Sequence, residues 1–529
     1  PPDPRSPAAS PVRWAETPVE GGNGTSQTGD GRTRGRDEGM RHVLRKRREA
    51  ARARQERLQR LRRDDRTLLD RLYGTPYEDV AFPSPRPLDD AEAVEILGFA
   101  LRLGRALFLA GAETRRIESS VVAVTAAWGM GSQEVDINAR SMQVQYAPEG
   151  RRPIVMLKVM GSEDSRDLDR LAALERLTTH AAAGRLDRET AAGTLDRIEA
   201  EASRWPWWFG LAGGAVLAAM LCVLASGTVR AALVSPLVFL LADRGAWALS
   251  RSGLPSFFLT VAQTALLLVA VAGLTAAGGL SHAEAASAIA ANVILLLPIF
   301  TIISLTEDAI DGFRSMAAGR TVSLLAFFTA LACGFLAVGF LLRGADADAR
   351  STALIPLPVV LSLLTSAIGA LGNTVFMDGG LRIVPPAVAA AVLGAGVKLA
   401  CVGAFGWSAP LATGLATVAM GLAAAVLSPR TGIPVRAFVI PGIAGGVLPG
   451  PDLYRSLLQW LLHVEGAGAY LVSTMASVAA IGIGVVFGTL LGTAVARQWR
   501  YRGTGAGPSR TPGGIVPAAG DPGRDVRPR

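Results

Sequence analysis

AASAIAANVILLLPIFTIISLTEDAIDGFRSMAAGR, residues 285–320, is the stretch whose reading decides the fold class. As far as Leu305 it is a membrane helix by composition, yet it contains Asn292 and Pro298 and runs directly into Glu307, Asp308 and Asp311. Proline removes a backbone donor and frees a carbonyl. In lipid that is tolerated only where protein or a water-filled cavity satisfies the backbone again. Ionisable groups at the edge of such a segment are functional candidates. A second stretch of the same character follows at 437–456, AFVIPGIAGGVLPGPDLYRS. Two Pro/Gly-interrupted apolar segments in one polytopic chain point to the binding site of a transporter.

Composition agrees with a membrane protein. Half of the 529 residues are hydrophobic, 18% are charged, and mean hydropathy is +0.34, values expected of a polytopic chain. The net charge of +9 is carried mainly by the N-terminal tail and by loops, and no zinc spacing or aromatic–basic interleaving accompanies it. A nucleic-acid partner is therefore not expected. Cys222, Cys333 and Cys401 lie in apolar segments without a CxxC motif and read as small core residues. No metal or other cofactor is expected. The opening residues PPDPRSPAAS have no apolar h-region, so no secretory signal is expected there.

Residues 1–87 read as a disordered tail, rich in Pro, Gly, Ser and Thr over the first forty. A basic helix near 40–73 interrupts it, with RKRREAARARQERLQRLRR at 45–63 and a thin stripe of Leu44, Leu58, Leu61, Leu68 and Leu72. It is either a solvated charged helix or a segment drawn to anionic lipid. FPSPRP at 82–87 marks a linker.

Residues 88–206 read as a cytoplasmic α+β domain. Asp89 or Asp90 caps a helix with Val94, Leu97, Leu101, Gly104 and Phe108 on one face, and Gly111 ends it. A second helix starts near Glu113, with Val121, Val124 and Trp128 on one side. EVDINARSMQVQY alternates like a half-buried strand pair and PIVMLKVM like a buried strand. Two more amphipathic helices follow, the second opened by Asp187.

From Trp207 onward ten spans are expected, at 207–226, 231–249, 256–277, 285–305, 321–342, 353–372, 384–406, 411–428, 434–449 and 468–496, most near the ~20 residues a bilayer requires. They fall into two five-helix halves, 207–343 and 344–498, before a C-terminal tail at 499–529. Placing the N-terminal domain inside puts Arg244, Arg251, Arg314, Arg320, Arg382, Arg430, Arg436, Arg497 and Arg500 in inner loops. Arg230, Arg343, Arg350 and Arg455 are then outside. The bias predicts both termini in the cytoplasm.

Four segments together resemble the bacterial threonine/serine exporter family over roughly 94–497. They are LGRALFLAGAETRRIESSV at 103–121, the LDRL…GRLDRETAAGTLDRI helices at 168–198, the P-x(9)-D-x-x-D-G pattern from Pro298 to Gly312, and VIPGIAGGVLPGPDLYRSL at 439–457. The resemblance implies a ten-span secondary transporter of the bacterial plasma membrane with a cytoplasmic N-terminal domain. It would export threonine and serine at the expense of the proton gradient. Arg115 stands where the family usually has an aromatic residue, and PIF replaces a frequent PG.

A zwitterionic amino acid needs donors for its carboxylate and acceptors for its ammonium, which half-helix ends and unwound backbone supply without free charges in lipid. Pro441, Gly442, Pro449 and Gly450 are candidates for the unwound element, and Asn292 for a polar contact. Asp308 and Asp311, beside Glu307, are candidates for ammonium binding or proton coupling; the competing reading places them in a solvated loop. Asn373 and Asp378 share that ambiguity, and Asp243 pairs with Arg244 or acts in the site. Tyr454 and Arg455 either close the site or anchor at the interface. Gly484, Gly488 and Gly492 read as helix packing.

No GxxxxGK[ST], HExxH, GxSxG or SxxK occurs, so an enzyme is not expected. A membrane-anchored hydrolase built on Glu113, Arg116 and Glu118 is the remaining enzyme reading, against a surface ion-pair set, and Thr114 is a further candidate of the cytoplasmic domain. Within transport, dicarboxylate export is the alternative. The lipid bilayer, a small amino acid and protons are the expected partners, with a homo-oligomer open.

Overall fold

A computed structural model describes residues 71–72, 74–131, 133–148, 150–161, 167–225, 227–341, 357–448, 453, 456 and 467–504. Residues 40–70 of the expected basic helix at 40–73 and the C-terminal residues past 504 lie outside them, as do Pro449, Gly450, Tyr454 and Arg455.

The N-terminal domain is α+β. Helix α1 (Asp90–Leu109) starts where Asp89 accepts the Glu92 amide, and α2 (Thr114–Ala127) follows Glu113 as N-cap. Between them Gly111 adopts φ +82, a left-handed conformation that glycine alone takes at little cost. Strands β1 (Gln133–Ile137), β2 (Ser141–Tyr146) and β3 (Ile154–Val159) form an antiparallel sheet in that order. Helices α3 (Leu168–Ala182) and α4 (Arg188–Ala200) are capped by Asp167 and Asp187. Three expectations need correction. Val94 is exposed, while Leu97, Leu101, Gly104 and Phe108 of the expected face are buried together with Ile96, Ala100, Leu103 and Leu107. The β3 strand is not buried, because it is the edge of a three-stranded sheet and shows Val155, Leu157 and Val159 on its open face. The boundary of the tail at 87 is too late: Leu72 and Tyr77 are buried and pack with Val122 and Ala123 of α2.

The rest of the described chain is helical and membrane-spanning in character. Helices α5 (Trp207–Leu224), α6 (Val229–Ser250) and α7 (Ser256–Ala276) come first. The pair α8 (His282–Leu296) and α9 (Ile299–Asp311) is bent by 50° at Leu297–Pro298. A capping box of Ser281 and Glu284 opens α8, and Gly312 at φ +89 closes α9. Then come α10 (Arg314–Leu341), α11 (Val359–Phe376), α12 (Val384–Phe405), α13 (Ala409–Thr431), α14 (Val435–Gly446) and α15 (Ala467–Thr504). Among the described residues eight helices are long and apolar enough to cross a bilayer, nine with the bent pair taken as one span.

The expected span at 434–449 is different in kind. Helix α14 has 12 residues, about 18 Å at 1.5 Å per residue, against roughly 30 Å of hydrocarbon. Arg436 to Gly445 are all buried. Helix α14 is a half-helix packed chiefly between α11 and α12. Its glycines serve this packing: a Cβ on Gly445 would lie 2.6 Å from the Ser366 carbonyl oxygen, and one on Gly442 3.0 Å from the Ala391 nitrogen. The pairing of α13 with α15 is likewise glycine-mediated, as Gly484, Gly488 and Gly492 meet Thr417, Val418 and Leu422. The first and second halves do not segregate cleanly, since α11 packs extensively on α5.

Candidate functional site

The two broken elements meet the N-terminal domain at one end of the helix bundle. Along α9, Ser304, Glu307 and Asp308 fall at i, i+3 and i+4, on the same buried face as Ile299, Ile302 and Ile303. Such spacing stacks them in one row. Two buried arginines meet this row, Arg436 from the first turn of α14 and Arg320 from α10.

Each arginine is shared with the domain. One Nη of Arg436 donates to the Gly111 carbonyl at 2.6 Å, and the other to Ser304 Oγ at 2.8 Å and to the Glu307 carboxylate. Its Nε lies 3.5 Å from Glu113. Arg320 Nη1 donates to Asp308 and to Thr114 Oγ1, the latter at 3.3 Å. Outside this pair, Arg115 Nη1 donates to Asp311 at 3.0 Å. Thus the turn 111–115 plugs into the ends of α9, α10 and α14. Phe300 explains why Gly111 cannot carry a side chain: a Cβ there would meet the Phe300 ring at 2.8 Å. Met316 of α10 in turn belongs to the buried core of the domain.

The solvated-loop reading of Asp308 and Asp311 is therefore overturned. Asp308 is 1% exposed, and Asp311 is half-buried and paired. Arg115, off the family pattern, holds that pairing. Among the domain candidates, Glu113 and Thr114 contact arginines of the membrane helices, whereas Arg116 and Glu118 pair within the domain. Arg116 forks onto Glu175 at 3.1 and 3.0 Å. Burial opposes its charge, but Glu175 holds its pKa above the ordinary guanidinium value. Glu118 lies 3.8 Å from Arg71, and burial raises its carboxyl above the ordinary range. The four residues point to different partners and do not converge on one reaction centre.

Beside this seam lies a cavity of about 540 Å³ between the domain and the adjoining ends of α13, α14 and α15, lined among others by Glu113, Arg116, Glu307, Arg436, Thr493 and Arg497. Five arginines and six carboxylates border it, a nearly balanced field.

The remaining candidates are dispersed. Asn292 is buried, donating to Ser235 Oγ at 3.0 Å and to the Ala288 carbonyl at 2.9 Å, which accounts for its amide donors by packing of α8 on α6. Pro298 makes the α8–α9 break. Asn373, 1% exposed, has a buried Nδ2 with no hydrogen-bond partner among the described residues. Asp378 is at φ +54 and clips the domain linker, accepting from Ser203 Oγ and from the Arg204 and Trp205 amides. Asp243 pairs with Arg244 at 2.6 Å. Pro441 and Gly442, expected in unwound backbone, are inside α14; the helix ends only after Gly446. A single proline in a helix surrounded by protein leaves a free carbonyl that neighbouring helices accommodate. Among the described residues no three His, Cys, Asp or Glu side chains gather as metal ligands.

Sequence reading does not single out Lys398. Its Nζ, within the long apolar helix α12, donates to the carbonyl of Val447, the C-cap of α14, at 3.0 Å. One lysine inside 22 otherwise uncharged residues was the available signal, since ionisable groups in spans are functional candidates.

With this geometry in view, the comparisons are specific. Residues 98–342 match the family model described as "Putative threonine/serine exporter". That stretch runs from α1 to the end of α10 and contains the broken α8–α9 pair. The chain is a relative of the threonine/serine exporters. It is 26% identical to a probable threonine/serine exporter of Mycobacterium tuberculosis H37Rv over 76% of this chain and 78% of that one. It is 25% identical to the threonine/serine exporter of Corynebacterium glutamicum over 80% and 88%. No solved structure matches. The second of these alignments covers enough of both proteins to include membrane helices beyond the family match.

Proposed function

We propose that the protein is a secondary carrier that exports threonine and serine across the bacterial plasma membrane, driven by the proton gradient, and that its N-terminal domain is the inner gate. The seam that joins Gly111, Glu113, Thr114 and Arg115 to Arg436, Arg320 and Asp311 carries this reading. It ties a domain turn to the two half-helices of the bundle, so that substrate entering from the cytoplasm meets the domain first. The near-balanced charge around the 540 Å³ cavity suits a zwitterion better than a dicarboxylate, which a cationic surface would attract. Half-helix ends of α9 and α14 within the bundle offer backbone donors and acceptors at mid-membrane, and the unpartnered Asn373 amide is a further candidate contact.

The interface anchors support an orientation with the domain inside. Arg244 lies over Trp207 and Trp247, Arg251 over Trp247, and Arg430 over Trp499, all at the domain end of the bundle. Tryptophan occurs at both interfaces, and it is the arginines of this belt that favour the cytoplasmic face. Reporter fusions after Pro206 and after Thr504 should both give the cytoplasmic signal.

The deciding experiment is counterflow in proteoliposomes with labelled threonine, serine and succinate. Exchange of threonine and serine without succinate supports the proposal, and exchange of succinate alone replaces the substrate. Catalytic turnover by a fragment spanning 71–206 would reinstate the hydrolase. Undiminished and unaltered export by a chain lacking residues 1–200 would remove the gate.

A further inference from the structure

Helix α14 begins on the wall of the 540 Å³ cavity, whose lining includes Pro434, Val435 and Arg436. The first amides of a helix have no intrahelical acceptor and are commonly satisfied by an N-cap side chain. Here the N-cap is Pro434, which has no side-chain acceptor. The Ala437 amide turns back to the Pro434 carbonyl at 3.0 Å, while the Val435 and Arg436 amides have no acceptor among the described residues. The helix dipole adds roughly half a positive charge at this end. An oxyanion is the ligand that suits it. Arg436 supplies a second, independent observation at the same place. Its side chain is 4% exposed, and its two Nη atoms are taken by Gly111, Ser304 and Glu307. Its Nε–H is buried and has no hydrogen-bond acceptor, a costly state for a charged donor. Side chains lean toward the N-terminus of their helix, so a guanidinium from the first turn lies beside the open amides. Opposite Nε, at 3.5 Å, stands Glu113, near enough for charge attraction and short of a hydrogen bond. Glu113 is 33% exposed and also lines the cavity. Glu78, Glu175, Glu307 and Asp311 on the same wall each face an arginine Nη instead.

We propose that the space between Arg436 and Glu113 is a slot for the zwitterionic head of an α-amino acid, entered from the cavity. The slot rests on the reading of the protein as an amino-acid exporter and gives the substrate its first binding site, at the inner gate. The α-carboxylate takes the Nε–H of Arg436 together with the Val435 and Arg436 amides, in the place that Glu113 now covers. The displaced Glu113 carboxylate receives the α-ammonium, which is only one carbon away from the carboxylate in any α-amino acid. Both charges of the ligand are then matched, and the idle Nε–H gains its acceptor. A dicarboxylate would set its second charge against Glu113, and an amine without a carboxylate would leave Nε as it is. The cavity falls within the roughly 300–1,000 Å³ of small-molecule sites, which leaves room for the substrate side chain and water.

Titration calorimetry on the full-length chain in nanodiscs tests the slot. The ligands are threonine and alanine, each against the analogue with a hydroxyl in place of the ammonium, 2,3-dihydroxybutyrate and lactate. The wild-type chain should prefer the amino acid by about 10- to 100-fold, the equivalent of one hydrogen bond to a charged group. Glu113→Gln should erase that preference, chiefly by weakening the amino acid. A merely structural Glu113 predicts an equal loss for both ligands of a pair, or no loss for either, and each of these results overturns the slot. So does a wild-type chain that prefers neither amino acid over its analogue. Position has its own readout. With Cys222, Cys333 and Cys401 replaced, Val435→Cys should be shielded from a maleimide by the bound amino acid, and undiminished labelling at saturation overturns the placement. If alanine shows the preference and its dependence on Glu113 while threonine and serine do not bind, the exporter reading fails and the slot stands. If threonine counterflow proceeds while its binding ignores Glu113→Gln, the slot fails and the exporter reading stands.

Discussion

Arg436 is the side chain on which the inner seam turns, and its removal has a calculable consequence. Arg436→Gln takes away the donor to Gly111, the donors to Ser304 and Glu307, and the charge facing Glu113. Only the Gly111 and Glu113 contacts cross the seam, since Ser304 and Glu307 belong to the bundle as Arg436 does. A hydrogen bond from a charged donor contributes about 1.5–3 kcal/mol. At about 1.4 kcal/mol per factor of ten, the lower figure raises the separated fraction roughly 10-fold. Ala112, 3% exposed and bordering the cavity, reports it. With Cys222, Cys333 and Cys401 replaced, Ala112→Cys should react slowly with a maleimide and about 10-fold faster in the Arg436→Gln background. Glu307→Gln leaves both seam contacts of the guanidinium in place, so its effect should be smaller, within about 1 kcal/mol. Because the two side chains share one interaction, the double variant should fall short of the summed effects. Unchanged labelling in a folded Arg436→Gln protein, or strict additivity in the double variant, would refute the seam as a gate.

Asp308 and Asp311 should separate in kind: Asp308→Asn strips the buried Arg320 of its counter-charge and should lower the amount of folded protein, while Asp311→Asn, at a half-exposed pair, should cost within about 1 kcal/mol. Detergent-solubilised yield and melting temperature measure the difference. Gly445→Val should destabilise by roughly 1–3 kcal/mol through overpacking against Ser366 and Ala370. Gly253→Ala lies where a Cβ meets open space but at φ +73, so it should cost about 1 kcal/mol from backbone strain alone. For Glu118 the folded carboxyl sits above its ordinary pKa, so the native state holds a proton that the unfolded chain has released. Stability therefore falls as pH rises through the window above the ordinary carboxylate value. Glu118→Gln should remove that slope from melting curves taken between about pH 4 and pH 7.

The parts of the molecule that local chemistry dictates were legible in the sequence. Asp89 and Asp187 cap helices because a carboxylate three residues before an open amide satisfies it, whatever the fold. Gly111 and Gly312 end helices because their φ values of +82 and +89 suit glycine. Pro298 breaks its span because a helix cannot pass it undisturbed. The apolar runs marked the membrane, and the four-part pattern pointed to the exporter family. Sequence failed where an outcome depends on what a segment is packed against. Pro441 and Gly442 look the same on paper whether the backbone unwinds or, as here, a half-helix is held between α11 and α12. The stretch PIVMLKVM is apolar enough for a core strand, but only the sheet order makes it an edge. Asp308 and Asp311 read equally well as a solvated loop, since the arginines that bury them come from Arg320 and from Arg115, the latter 196 positions away. Arg436 and Gly111 meet across 325 positions, and Lys398 acquires a meaning only when the end of α14 is laid beside it. Hydrogen bonds within a turn are written in adjacent residues, whereas the pairing of buried charges is written in the topology that brings distant ones together.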